Sequence, residues 1–356
     1  MVKAGPVALK RILGAFLIML LLRSINSIAQ TNGHGTIVHL RFVAASIKGN
    51  PAGENALRRV SIYLPPGYDK SSARYPVVYC LHAYDASDST SMIGIGEALD
   101  DAITTHQVRP MIMVMPDSET EYRGSFYTNS SFTGKWADYI AKDVVELIDS
   151  KYRTIKSRDG RGITGLSMGG NGALKIAMLF SDVFSCVYAM TPAVLNWSDG
   201  VNIGIPAFKL LSAAKSKKEV MDDFRCRLMV DLGRTYSPDK NKPPFYADMP
   251  AYYVNNSLVV DLEVKKKWEE NFPTRMIEHH LAALKSLKAI KLDWGRNDEN
   301  KHVPVTCLEF SKQLEQFGIK HFAEEYLGGH AGNLSGRDGR LYTEVFPFFN
   351  TYLNFE

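Results

Sequence analysis

The sequence predicts an α/β fold in which helices cover both faces of a mostly parallel, doubly wound sheet. Short, continuous apolar runs of the kind that form buried parallel strands recur through the chain. Stretches with one apolar helical face separate them, which gives the strand–helix alternation of such sheets. A glycine-rich turn at 165–170 follows one of these runs. In doubly wound sheets, ligands bind at the carboxyl edge, where such turns lie.

The strands are predicted first. Segments 38–43 and 59–64 alternate apolar and polar residues, which favours an antiparallel pair at the start of the sheet. Central strands are expected at six apolar runs, namely 77–81, 111–115, 162–166, 187–190, 228–230 and 290–294. A last strand is expected at 321–326.

Three helices are predicted between and after these strands. Ile140, Val144, Leu147 and Ile148 form one apolar stripe at helical spacing. Residues 171–180 continue as a helix after the glycine-rich turn, and a further helix contains Leu308, Leu314 and Phe317.

The first 29 residues have the pattern of a secretory signal peptide. Lys3, Lys10 and Arg11 precede an apolar run at 12–22, and the small residues of Ser27-Ile28-Ala29 come before Gln30. The run is shorter than the roughly 20 residues that span a bilayer. We therefore expect a secreted or periplasmic protein whose mature chain, 30–356, is a single domain; an uncleaved N-terminal anchor is the alternative.

The charge of the chain lies mostly in that leader. The whole sequence carries a formal charge of +4, but residues 1–29 hold four basic and no acidic residues, so the mature chain is close to neutral. This composition excludes a basic nucleic-acid-binding surface, and the mature chain is expected not to insert stably into a membrane. The sequence does not fix the oligomeric state.

The cysteines give no metal motif. Cys80, Cys186, Cys226 and Cys307 contain no C-x-x-C pair, so no metal site is expected. In an exported protein they could pair in three ways, and the pairing is left open. Cys80 lies inside a predicted strand, which favours a free, buried thiol there.

The candidate nucleophile is Ser167. Gly165-Leu166-Ser167-Met168-Gly169 fits the G-x-S-x-G nucleophile elbow, placed between a predicted strand and a predicted helix. The motif alone is weak, and the alternative is an ordinary strand-to-helix turn. Catalysis also needs an acid and then a histidine later in the chain.

His330 is the candidate base. Four of the nine histidines precede the serine, although His82 can still shape the site. His279 and His280 lie in a charged helical stretch, and His302 is expected at the surface. His330 instead lies in a glycine-rich loop after the last predicted strand.

Three carboxylates compete for the role of the acid. Asp293 lies within a predicted strand, where we expect it to pair with a basic or N–H group on a face of the sheet. Asp298 follows Gly295, beyond the strand end, and can turn toward the His330 loop. Glu299 is expected to point away. Asp298 is the predicted acid and Asp293 the runner-up.

Six stretches of the chain resemble those of a known family of enzymes. The stretches VSIYLPPGYD (60–69), YPVVYCLHAY (75–84), GSFYTNS (124–130), GITGLSMGG (162–170), LDWGRND (292–298) and GGH (328–330) are similar to those of the α/β-hydrolase esterases that include feruloyl esterases, S-formylglutathione hydrolases and antigen 85 mycolyltransferases. The resemblance covers about residues 55–350. It implies an α/β-hydrolase fold and a serine hydrolase or acyltransferase that needs no cofactor.

The resemblance also assigns roles. Ser167 would be the nucleophile, Asp298 the acid and His330 the base. The backbone N–H groups of Met168 and Tyr84 would form the oxyanion hole. Relatives often have the sequence LHG where this chain has Leu81-His82-Ala83. Ala83 would be strained if the loop required a positive φ at this residue.

The substrate is less defined. An insertion of about residues 191–274 precedes the acid and is rich in aromatic residues; its segment 239–253 is expected to be irregular. It forms either a lid over an aromatic-lined cleft or a packed excursion. Tyr127 and Asn129 are possible substrate contacts, or they hold their own loop.

Three functions remain open. The first is a secreted carboxylesterase acting through an acyl-enzyme on a small-molecule or carbohydrate ester, such as a feruloyl or acetyl ester of a polysaccharide. The second is an acyltransferase using the same triad. The third is a non-catalytic binding protein on the same fold.

Overall fold

The computed structural model describes residues 33–197 and 205–356; the predicted leader, 1–29, lies outside them. Its strands, in chain order, are β1 (Thr36–Val43), β2 (Leu57–Leu64), β3 (Val77–Leu81), β4 (Ile112–Pro116), β5 (Asn129–Ser130), β6 (Gly134–Lys135), β7 (Arg161–Leu166), β8 (Cys186–Met190), β9 (Ala251–Val254), β10 (Ser257–Val260), β11 (Ala289–Gly295) and β12 (Phe322–Tyr326).

Helices separate the strands. The α-helices are α1 (Asp88–Thr104), α2 (Trp136–Asp138), α3 (Val145–Lys151), α4 (Met168–Leu179), α5 (Ile205–Ala213), α6 (Lys217–Met221), α7 (Phe224–Tyr236), α8 (Leu262–Glu269), α9 (Pro273–Met276), α10 (Leu281–Ser286), α11 (His302–Gln316) and α12 (Phe346–Tyr352). The described residues also contain three 3-10 helices (Tyr68–Lys70, Arg158–Gly160, Glu278–His280) and two π-helices (Tyr139–Val144, Leu341–Val345).

Eight strands form one sheet in the order β1-β2-β4-β3-β7-β8-β11-β12. The first two strands pair antiparallel, as predicted, and β2 pairs antiparallel with β4. From β4 onward every neighbouring pair is parallel. The carboxyl ends of β3, β7, β8, β11 and β12 therefore meet at one edge of the sheet.

The central strands are buried because helices cover both faces. Every residue of β3, β4 and β8 is buried, and successive side chains enter two different hydrophobic clusters. Val77 and Tyr79 pack with α4, whereas Val78 and Cys80 pack with α1 and α12. The predicted positions of these strands are thus confirmed to within one residue at each end.

One predicted strand is wrong. Residues 228–230 lie inside α7, which begins where the Asp223 carboxylate accepts the Cys226 N–H at 2.8 Å. Cys226, Met229, Val230 and Gly233 are all buried at helical spacing. A run of three apolar residues looks alike in a buried strand and on the buried face of a helix, so periodicity alone could not separate them.

The insertion between β8 and β11 packs its aromatic residues against one another. The Trp197 and Trp268 rings stack with centroids 5.9 Å apart, and Phe272 meets Trp197 edge-on at 5.0 Å. Tyr236 packs on both Trp268 and Phe272. These residues line a core and not a cleft, so this part of the insertion is a packed excursion. The expected irregular segment 239–253 extends only to Pro250, since β9 begins at Ala251.

Two further observations bear on the predictions. All four cysteines are free and buried. Within residues 33–197 and 205–356, the helices are too short or too polar to cross a membrane.

Candidate active site

Ser167 lies at the sharp turn between β7 and α4. Its backbone has φ 59° and ψ −112°, a left-handed conformation that is strained for a residue with a side chain. The turn is held on both sides, because the Ser167 N–H donates to Met190 O at 2.9 Å and the Asn171 N–H donates to Ser167 O at 3.0 Å. This conformation leaves the serine half-buried at the carboxyl edge of the sheet.

Two glycines make the turn possible. A Cβ on Gly169 would lie 2.0 Å from the Leu81 carbonyl oxygen, and one on Gly165 would lie 2.4 Å from the Gly169 carbonyl carbon. Side chains at these positions would push α4 away from β3 and β7. The glycines of the motif therefore bring the helix N-terminus close under the serine.

The structure joins His330 to Asp298. His330 Nδ1 lies 2.7 Å from Asp298 Oδ2, and the Asp298 side chain is fully buried. Asp298 Oδ1 accepts the Asn300 N–H at 2.7 Å, which fixes the orientation of the carboxylate. The imidazole Nδ1–H therefore donates to Asp298, and the neutral ring carries no proton on Nε2.

No hydrogen bond joins the Ser167 hydroxyl to His330 among the residues that the structure describes. Catalytic hydrogen bonds of this kind are often long in the absence of substrate and tighten when it binds.

Glu299 corrects one expectation. It does not point away from the histidine loop, since its Oε2 accepts the His330 N–H at 2.9 Å. That hydrogen bond holds the pKa of the Glu299 carboxyl below its usual value. Glu299 thus holds the backbone of His330, whereas Asp298 holds its ring.

Asp293 pairs with a basic group on a face of the sheet, as expected. Its Oδ2 accepts hydrogen bonds from Arg340 Nη2 and from the Tyr188 hydroxyl, both at 2.6 Å. Burial raises the pKa of Asp293, and the adjacent Arg340 opposes that shift. Asp293, the runner-up for the acid, is therefore bound to an arginine and a tyrosine and not to a histidine.

The position of His302 also differs from the prediction, because it is not a free surface residue. It is the first residue of α11, and its Nε2 accepts the Val194 N–H at 3.3 Å. Burial lowers the pKa of His302 to about 4, so the ring is neutral at neutral pH. Sequence position alone gave no signal for this contact.

The loop after β3 carries the candidate oxyanion donor Tyr84. Among the described residues, neither the Tyr84 N–H nor the Met168 N–H donates to a protein acceptor. Ala83 is not strained, because the positive φ of this loop falls on Asp85, at 60°. The glycine found in relatives is therefore not needed here for backbone reasons.

His82 shapes the same loop. Its Nε2 accepts the Ser118 N–H at 2.9 Å, which leaves Nδ1–H to donate to Ala83 O at 2.8 Å. Burial lowers the pKa of His82 and favours this neutral form. His82 thus ties the end of β3 to the loop after β4.

Tyr127 and Asn129 make hydrogen bonds within the protein. Tyr127 is fully buried, and its hydroxyl donates to His82 O at 2.9 Å. The exposed Asn129 uses its amide on its own chain, accepting the Ala137 N–H at 3.0 Å and donating to Asp138 Oδ1 at 2.8 Å. Both side chains hold their own loop, which is the alternative to a substrate contact, and contact with a substrate stays a prediction.

A feature that sequence reasoning missed links the insertion to the Tyr84 loop. Arg227, on α7, forms an ion pair with Asp85. Its guanidinium lies 5.9 Å from the centroid of the Tyr84 ring, and Phe224 meets that ring edge-on at 5.7 Å. Residues more than a hundred positions apart along the chain make this contact, so no local pattern could reveal it.

Comparisons with known proteins agree with the resemblance. A family model described as putative esterase matches residues 54–338. An esterase of Mycobacterium tuberculosis is 28% identical over 228 residues, which are 56% of this chain and 46% of that protein. The chain thus spans about half the length of the first curated relatives it matches.

Two solved structures share the fold. A ferulic acid esterase superposes with a TM-score of 0.61 at 19% identity, over 90% of this chain and 99% of that one. An S-formylglutathione hydrolase from Agrobacterium tumefaciens gives a TM-score of 0.58 at 13% identity, over 92% and 99%. At such identities the likeness concerns the fold alone, and the predicted α/β-hydrolase fold is confirmed.

Proposed function

The chain belongs to the putative esterase family, and we propose that it is a serine carboxylesterase with Ser167 as nucleophile. The observation that carries the proposal is that a strained, half-buried serine at a strand-to-helix turn lies at the same sheet edge as a histidine bound to a buried carboxylate. All three groups lie at the carboxyl edge of one sheet.

The proposed mechanism follows from this arrangement. His330 Nε2 takes the proton of the Ser167 hydroxyl as its oxygen attacks the ester carbonyl carbon. Asp298 keeps the ring in the Nδ1–H tautomer and stabilises the imidazolium. The imidazolium then gives its proton to the departing alcohol, and an acyl-enzyme remains. Water attacks the acyl-enzyme with His330 again as base, which releases the acid and restores Ser167.

The oxyanion of each tetrahedral intermediate is proposed to bind the Met168 and Tyr84 N–H groups. Met168 is the first residue of α4, so its N–H also lies at the positive end of a helix dipole. One such donor contributes roughly 2.7–4 kcal/mol to transition-state stabilisation.

For substrate, we propose an ester of a small molecule or a carbohydrate, with feruloyl and acetyl esters as the first to test. One of the structures that share the fold is a ferulic acid esterase. Export through the predicted signal peptide would place the enzyme where such esters occur outside the cell, and that part of the proposal rests on the sequence alone.

The test compares wild type with Ser167→Ala on p-nitrophenyl acetate and a fluorophosphonate probe. We expect hydrolysis and single-site labelling by wild type, and loss of both in Ser167→Ala. Equal labelling of the two proteins would overturn the assignment of the nucleophile, and an inactive, unlabelled wild type would favour a binding protein. Product analysis with an added sugar or alcohol acceptor separates hydrolysis from acyl transfer.

A further inference from the structure

A cleft of about 230 Å³ lies beside the serine turn, on the α1 face of the sheet. Leu166, Met190, Ala83 and Leu334 contribute to its walls. Leu166 immediately precedes Ser167, Ala83 immediately precedes Tyr84, and Leu334 follows His330 in the same loop. The cleft is therefore bounded by the neighbours in sequence of the proposed nucleophile, oxyanion donor and base.

The walls of this cleft are mainly apolar. Leu81, Ile95 and Leu341 join the aliphatic side chains already named. His82, the one ring among the lining residues, has both nitrogens bound to backbone groups. Hydroxyl groups come from Thr90, Ser91 and Ser335, and the lining holds no carboxylate, lysine or arginine among the described residues. Such a surface suits a hydrocarbon or aromatic group better than a sugar, whose hydroxyls need hydrogen-bond partners.

The volume of the cleft and the position of its opening limit which chemical groups it can bind. Sites for drug-sized ligands enclose roughly 300–1,000 Å³, so this cleft fits a shorter group. It opens to solvent beside α1 at Gly94, where an added Cβ would meet no heavy atom within 4 Å. A chain longer than the cleft would have to leave it past that glycine.

We propose that this cleft binds the acyl group of the ester substrate, and that this group is a short aliphatic chain or a single aromatic ring. The inference rests on the proposed attack of Ser167 on an ester. The departing alcohol must face His330, which protonates it, while the carbonyl oxygen faces the Tyr84 and Met168 N–H groups. Ala83 and Leu166 place the cleft beside these donors, and Leu334 places it beside the His330 loop, so its position alone does not separate the two groups. Its apolar lining does, because it suits the hydrocarbon of an acyl group and leaves the hydroxyls of a sugar alcohol without hydrogen-bond partners.

The test narrows the mouth of the cleft with Gly94→Leu. Glycine is a poor residue inside a helix, and the Cβ of the new side chain would meet no heavy atom within 4 Å, so α1 should fold at least as well. We expect kcat/KM for p-nitrophenyl benzoate and butyrate to fall at least tenfold, and that for p-nitrophenyl acetate to change less than twofold. Ile95→Ala, which widens the cleft, should shift the preference toward longer acyl groups.

The matched control is Ile93→Phe. It enlarges the neighbouring residue of the same helix, which is 56% exposed and outside the lining, and should leave the acyl preference unchanged. Melting temperatures of all variants show whether any loss reflects folding.

Two results would overturn the inference. One is an unchanged acyl preference in Gly94→Leu and Ile95→Ala. The other is a change, in these variants, in the relative kcat/KM values for acetyl esters of different alcohols. That result would make the cleft a site for the alcohol. Either result counts against the inference only if the wild-type protein hydrolyses esters and is labelled at Ser167. A wild type without these activities would instead contradict the proposed function itself.

Discussion

At the scale of single residues, two nearby aspartates have opposite surroundings. Asp298 is fully buried and its Oδ2 hydrogen-bonds the His330 ring, which must change its charge during the proposed reaction. Asp293 is equally buried, but its carboxylate contacts Arg340 and Tyr188. These surroundings fit the proposed role of Asp298 in the reaction and a structural role of Asp293 in the sheet.

This difference predicts opposite effects of the same substitution. Asp298→Asn keeps the shape of the side chain but cannot hold the Nδ1–H tautomer of His330, so we expect normal melting and a loss of up to roughly 10⁴-fold in kcat. Asp293→Asn leaves the buried Arg340 guanidinium with the more distant Glu324 carboxylate, 3.5 Å away, and should lower the free energy of unfolding by up to about 3 kcal/mol, with a smaller effect on kcat. Ester turnover and urea unfolding of both variants check this. The reverse pattern would make Asp293 the acid.

At the scale of elements, helix α7 contributes to the site from outside the sheet. Asp85 follows Tyr84 and carries the positive φ of the loop, so its position sets the direction of the proposed oxyanion donor. Its carboxylate is held by Arg227, and Arg227 and Phe224 also pack on the Tyr84 ring. The insertion therefore supports the active-site loop as well as packing its own aromatic core.

We therefore expect Arg227→Gln to loosen the oxyanion loop without unfolding the protein. The variant should lose roughly tenfold to a hundredfold in kcat, less than the 10²–10³ that follows removal of a whole donor, with little change in KM. Arg225→Gln, at an exposed residue of the same helix, is the matched control and should behave as wild type. Arg227→Lys should restore part of the rate. A rise in KM alone would show that Arg227 contacts substrate and does not position the loop.

At the scale of the whole molecule, the sequence predicted what local signals specify. Apolar runs located the central strands, and the elbow motif with the glycine-rich His330 loop located two candidate catalytic groups. Residues 228–230, in α7, were misread as a strand because a short apolar run has no distinctive period. The roles of Glu299, His302 and Arg227 were missed since each depends on a partner brought close only by the folded chain.

The core that unites the sheet and the insertion also buries a lysine. Lys175, on α4, is 2% exposed, and its Nζ donates to Thr128 Oγ1 at 2.5 Å and to the Tyr236 hydroxyl at 3.2 Å. Among the described residues no carboxylate lies within ion-pair distance of it. Burial therefore lowers the pKa of Lys175 to about 7, whereas an unfolded chain holds an ordinary lysine near 10.5.

This lysine predicts how the stability of the molecule depends on pH. Between about pH 7 and 10.5 the unfolded chain binds a proton at Lys175 that the folded chain does not, so this residue makes the free energy of unfolding rise with pH, by about 1.4 kcal/mol per pH unit. Below pH 7 both states are protonated and its full cost to stability is present. Lys175→Met removes the charge, so the stability difference between the variant and wild type should shrink by that amount per unit from pH 7.5 to 9.5. Urea unfolding at several pH values measures this stability difference. Lys312→Met, at an exposed lysine, is the control. A difference that stays constant over this range would mean that Lys175 keeps its charge in the folded protein, held by water or by the two hydroxyl groups.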